Sequence, residues 1–111
     1  MIVSKPSIFL YTFDGDCAII KEICAGIEEE GVLYEIYQKE EASVDELAYE
    51  AANDSILGSG IGIKNRDAVM QMRLLPKGKN VFALTNASPE AYRILGSNSA
   101  RAIKKMPFKE T

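Results

Sequence analysis

The sequence predicts an α/β fold: three layers, with a five-stranded, mostly parallel mixed sheet of order 2-1-3-4-5 whose fourth strand is reversed. Three observations carry this. Buried-type β runs alternate with amphipathic stretches in the order β-α-β-α-β-β-β-α. The first two strands are each followed by enough chain for a crossover helix, whereas strands three and four are separated only by a short polar turn. With 111 residues and no internal linker or repeat, residues 1–111 are expected to form a single domain.

Ser7-Ile8-Phe9-Leu10-Tyr11-Thr12-Phe13 is β-branched and aromatic throughout, the pattern of a central strand buried on both faces. It stops at Asp14-Gly15, and Asp16 is placed to cap a helix in which Ile19, Ile20, Ile23, Cys24 and Ile27 recur at helical spacing. Gly31 supplies the stop. Val32–Tyr37 reads as the second strand, and Ser43-Val44-Asp45-Glu46 is a capping box opening a helix whose stripe is Val44, Leu47, Ala48, Ala51 and Ala52.

Ile56–Ile63 is a strand laced with Gly58, Gly60 and Gly62, a sign that another backbone or side chain comes close. Lys64-Asn65-Arg66-Asp67 turns the chain into Ala68–Arg73, giving an antiparallel hairpin. Val81–Thr85 is the fifth strand. Ser88-Pro89-Glu90 opens the last helix, Pro107 ends it, and Gly96 is expected to loosen or kink it. Right-handed crossovers then place the first and second helices on opposite faces of the sheet.

Composition narrows the chemistry. Hydrophobic residues make up 47% and charged residues 26%, as in an ordinary globular protein. The N-terminus lacks a signal-peptide pattern and no apolar run approaches a membrane span, so a cytoplasmic location and no membrane partner are expected. Net charge is −3, but residues 1–50 carry −9 and residues 51–111 carry +6. That asymmetry suits docking onto a charged protein partner, and the overall balance gives no expectation of nucleic-acid binding.

With no histidine, a histidine triad and most transition-metal sites are excluded. Cys17 and Cys24 lie about 10 Å apart along one helix, too far for a disulfide, and are expected to be buried. A phosphoacceptor receiver could find its acidic pair in Asp14 and Asp16, but Lys64 stands at the end of strand three and Asn86 follows strand five, where an Asp and a Lys are needed. A phosphate-binding loop fails as well, because only Asp14-Gly15-Asp16 occupies the first strand-to-helix turn. No catalytic residue is assigned. Asp14 is the best single carboxylate, otherwise a turn residue.

Glu28-Glu29-Glu30 is the feature that an indifferent scaffold would not carry. These acids crowd the C-terminal turn of the first helix, where the dipole makes each cost about 0.3–1 kcal/mol. At about 100° per residue, Glu30 falls near the apolar stripe, Glu28 on its flank and Glu29 opposite the core. Glu29 is therefore the carboxylate most available to a partner or to a cation held at an interface.

Several blocks together resemble one family: Gly26-Ile27-Glu28-Glu29-Glu30-Gly31-Val32, the Ala48–Ala52 helix before Ser55-Ile56-Leu57, and Gly60-Ile61-Gly62-Ile63. Leu75-Pro76, Val81-Phe82-Ala83-Leu84 and Tyr92-Arg93-x-x-Gly96-x-Asn98-x-Ala100-Arg101, ending in Pro107-Phe108, continue it. From Ile8 to Lys109 the chain resembles the small (beta) subunit of the diol/glycerol dehydratase-reactivating factor, whose domain is also that of the dehydratase medium subunit. The chain departs from the pattern after Cys17 and at Ser99, which leaves the client dehydratase open.

The resemblance implies a non-catalytic, chaperone-like subunit. Its partners would be a large ATPase subunit of the actin and heat-shock-chaperone type and, during subunit swapping, the dehydratase large subunit. The swap would release damaged cobalamin from a suicide-inactivated, adenosylcobalamin-dependent enzyme of propanediol or glycerol utilisation, in the cytoplasm or in a bacterial microcompartment. No cofactor is expected on this chain alone. The resemblance makes Glu29 a ligand to Mg²⁺ or Ca²⁺ at the large-subunit interface, with Glu28, Glu30, Asp14, Asn98 and Arg101 as further interface candidates. Two alternatives stand beside it: the dehydratase medium subunit itself, which usually has a longer N-terminus, and an independent small-molecule-binding domain.

Overall fold

A computed structural model describes residues 5–110. The strands are β1 (Ile8–Phe13), β2 (Tyr34–Gln38), β3 (Ser59–Lys64), β4 (Asp67–Met72) and β5 (Phe82–Thr85). The helices are α1 (Cys17–Glu29), α2 (Val44–Asp54) and α3 (Pro89–Lys104). The sheet order is β2-β1-β3-β4-β5, with β1 parallel to both β2 and β3 and with β4 antiparallel to its two neighbours. This is the predicted topology.

Alternation along β1 explains the layers. Ile8 and Leu10 point into a core shared with Ile19, Ile23 and Ile27 of α1 and Tyr92 and Leu95 of α3. Tyr11 points the other way, onto Leu47 and Ala51 of α2, with Phe9 and Phe13 packed against the same cluster. Thus α1 and α3 share one face and α2 covers the opposite face.

The helix starts follow local chemistry. Asp16 accepts from the amides of Ala18 (2.8 Å) and Ile19 (3.4 Å), Ser43 from Glu46, and Ser88 from Ala91. Gly31, at φ 75°, ends α1 by donating its amide to the Glu28 carbonyl. The β3–β4 hairpin pairs Lys64 with Asp67 across Asn65-Arg66, with Asn65 in the left-handed region at φ 53°.

Glycines set the interlayer spacing. A Cβ on Gly60 would strike the α2 backbone at Ala51 and Ala52, and one on Gly62 would strike Val44 and Ala48. The expected close approach at β3 is the backbone of α2. On the other face, a Cβ on Gly26 would meet the Arg93 carbonyl and the Ser97 amide, and one on Gly96 would meet the Ile23 carbonyl. The two glycines form the α1–α3 crossing.

Three expectations change. Gly96 lies inside an uninterrupted helix, its role being backbone contact with α1 instead of a kink. Cys17 is exposed while Cys24 is buried, because Cys17 opens the first turn of α1 beyond the cover of the sheet. β3 begins at Ser59 instead of Ile56, since Gly58 turns at φ 71° and Ile56 is left 64% exposed.

Candidate functional site

The three glutamates at the end of α1 diverge as the helical wheel requires. Glu28 accepts a hydrogen bond from the Tyr34 hydroxyl at 2.8 Å, which pushes the Tyr34 phenol well above its ordinary range. Glu29 is about half exposed, with Oε1 3.5 Å from Nε of Arg93 on α3. Glu22, two turns earlier on the same face, reaches the same guanidinium at 3.5 Å.

Glu30 turns inward, and its side chain is only 8% exposed. Its Oε2 accepts from the Ser97 hydroxyl at 2.7 Å and from Arg101 Nε at 3.1 Å, with Lys109 Nζ at 3.6 Å. The Ser97 hydrogen bond is the main reason its carboxyl is held below the usual range; Arg101 and Lys109 lower it further, and burial opposes them. Lys104 Nζ donates to the Glu30 backbone carbonyl at 2.9 Å. The cations of α3 therefore answer both the acid block and the negative end of the α1 dipole.

Asn98 is 99% buried by its 1% exposure and clasps the C-terminal segment. Its Oδ1 accepts from the Lys109 amide at 2.7 Å, and its Nδ2 donates to the Lys109 carbonyl at 3.1 Å. Arg101 donates Nη1 to the Pro107 carbonyl at 3.0 Å while Nε holds Glu30. Glu30, Asn98 and Arg101 are thus brought together by contacts within this chain. Asp14 lies elsewhere: exposed, at φ 51°, its carbonyl accepts from Asn65. Asp16 is occupied by capping α1 and by Arg66 Nη1 at 3.1 Å.

Among the described residues, no group of three or more Cys, Asp or Glu side chains could enclose a metal ion. Glu29 fits only as one donor: a half-exposed carboxylate with two oxygens, where Mg²⁺ or Ca²⁺ takes at least six ligands. Arg93 shares that carboxylate and would compete with a cation for it. The partnership was not anticipated from the chain, although the spacing of Glu22 and Glu29 at i and i+7 was a signal. The tail contacts of Lys109 were also missed, and no local pattern announces them.

This arrangement of an acid-tipped helix, a close-crossing α3 and a clasped tail can be placed among known proteins. The dehydratase medium subunit family model matches residues 5–109. The chain belongs to that family. Within it, the chain is 32% identical to the diol dehydratase-reactivating factor small subunit of Klebsiella michiganensis, covering 96% of this chain and 86% of the relative. It is equally 32% identical to the propanediol dehydratase-reactivating factor small subunit of Citrobacter freundii, covering 97% and 94%.

Solved structures agree. A chain in the structure of diol dehydratase-reactivating factor complexed with ADP and Mg²⁺ superposes with a TM-score of 0.91 at 31% identity, over 96% of this chain and 100% of that one. A chain of a glycerol dehydratase reactivase gives a TM-score of 0.91 at 26% identity, over 96% and 98%. Both relatives are named as small subunits of a reactivating factor, a designation that implies a larger partner subunit. No helix among the described residues is long and apolar enough to cross a membrane.

Proposed function

We propose that this chain is the non-catalytic small subunit of a reactivating factor that restores a suicide-inactivated, adenosylcobalamin-dependent diol or glycerol dehydratase. The observation that carries this reading is end-to-end likeness: sequence identity over 96% of the chain to a named small subunit, and a matching fold over the whole of a reactivating-factor chain. In this reading the large partner subunit supplies the ATPase. The small subunit takes the place of the dehydratase medium subunit, which shares its domain, and so opens the site that holds the damaged cobalamin.

The acid block is the docking element in this reading. Glu29, the outward carboxylate, bridges to the large subunit through Mg²⁺ or Ca²⁺ as Arg93 yields its share, and the partner completes the coordination shell. Glu28 adds negative field beside it. A cytoplasmic or microcompartment setting belongs to the same proposal.

The test mixes this protein with a reactivase large subunit, inactivated dehydratase, ATP, Mg²⁺ and fresh adenosylcobalamin. Turnover is expected to return only when both subunits are present. Activity from this chain joined to a dehydratase large subunit, without a reactivase, would make it a medium subunit instead. Glu29→Gln is expected to weaken large-subunit binding about tenfold in Mg²⁺, a loss of 1.4 kcal/mol, and to change it little in chelator. Equal losses in both buffers would remove the metal bridge.

A further inference from the structure

We propose that Asn98, Arg101, Glu30 and Phe82 form a peptide-binding site for an extended aromatic-then-cationic segment, filled in this subunit by its own detachable C-terminal strap, Pro107-Phe108-Lys109. Each position of the strap is read by a different chemistry. The buried Asn98 amide accepts from the backbone N–H of Lys109 and donates to its backbone carbonyl, as a neighbouring β-strand would. That contact recognises extended backbone of any sequence. Arg101 takes the Pro107 carbonyl two residues earlier.

Side chains add selectivity. Phe108 packs edge-on against Phe82 of β5, ring centroids 5.1 Å apart, and Lys109 faces the Glu30 carboxylate. Beside Phe82 and Asn98 the surface continues as a groove of about 180 Å³ lined by Leu84, Ala91, Ile94 and Leu95. The receptor side belongs to the folded body of the molecule: Asn98 and Arg101 lie within α3, Phe82 in β5, and Glu30 caps α1.

The strap is held differently. α3 has already ended at Lys105, in the left-handed region at φ 57°, and Phe108 remains 44% exposed. No helix or strand pairing secures residues 107–110. A segment tied to the body by a few side-chain contacts opens without the rest of the fold. Opening would leave a buried amide, an aromatic ring and a carboxylate facing solvent together, ready for another extended segment.

Amide hydrogen exchange on the full chain tests this. The Lys109 amide is expected to exchange at least tenfold more slowly than that of Glu110. It should lose that protection when a synthetic peptide of residues 105–110 is added in millimolar excess, while Leu95 in α3 is unmoved. Asn98→Ala should abolish both effects. Because Asn98 is buried, Phe108→Ala on the strap itself serves as a second variant, with protection of the Lys109 amide falling up to about tenfold. Free-chain exchange at Lys109 in the unmodified protein overturns the proposal. So does a strap that excess peptide leaves fully protected.

Discussion

At the scale of single residues, Glu30 shows how a carboxylate in an unfavourable place becomes useful. At the negative end of α1 it should destabilise, yet it joins α1, α3 and the C-terminal segment through Ser97, Arg101 and Lys109. Glu30→Ala is expected to cost about 3 kcal/mol, because it strands Arg101 in a largely buried site. Glu30→Gln, which keeps an acceptor for Ser97, should cost roughly half that. The sign with pH follows from the depressed carboxyl. Its stabilisation is complete above the unfolded value of about 4.3 and fades as pH falls through the lower folded value. Urea titrations should show a constant gap between wild type and Glu30→Gln from pH 7 to 5, closing toward pH 3; a gap that widens on acidification would refute it. The outward aim of Glu29 and the inward aim of Glu30 were legible in helical period alone. Their partners were not, because Arg93, Arg101 and Lys109 lie 64 to 79 residues further along and only the α1–α3 crossing brings them near.

Among the elements, the helices lie where they do because glycines let backbones touch. Element order, strand direction and the opposite faces of α1 and α2 were all readable from run lengths, caps and connection lengths. The alternate spacing of Gly58, Gly60 and Gly62 in a strand announced a close approach, and the structure identifies the neighbour at Gly60 and Gly62 as α2. Gly26 and Gly96 gave no such signal, since a glycine within a helix reads locally as a weak point. Their pairing exists only in the crossed helices. Propensity and packing therefore predict opposite signs for Gly96→Ala. As an isolated helix substitution it would gain about 1 kcal/mol, but a methyl against the Ile23 carbonyl forces α3 outward. We expect a net loss of about 2 kcal/mol or more in denaturant unfolding, and a gain in stability would show that the crossing is loose.

Across the whole molecule, the −9 and +6 halves of the sequence meet through ion pairs. Each of the six ion pairs among the described residues joins an acid from residues 1–50 to a base from residues 51–111: Asp16, Glu22, Glu29, Glu30 and Glu41 to Arg66, Arg93, Arg101, Lys109 and Lys64. The linear dipole thus folds partly onto itself, five of the twelve acids of residues 1–50 being taken up in these pairs. Salt should then weaken the fold slightly: between 0.1 and 1 M NaCl a loss of under about 1 kcal/mol is expected, since most pairs are exposed. Stabilisation by salt, the response of a self-repelling acidic body, would contradict this arrangement.

The same cross-pairing bears on how the chain is made. Synthesis delivers the N-terminal half first, and that half is a polyanion whose cations are still inside the ribosome. Lys64, Arg66, Arg93, Arg101 and Lys109, all made later, supply the countercharge. Glu22 and Glu29 of α1, and Glu30 at its end, are in place before their cationic partners on α3 exist, so α3 closes this side of the structure.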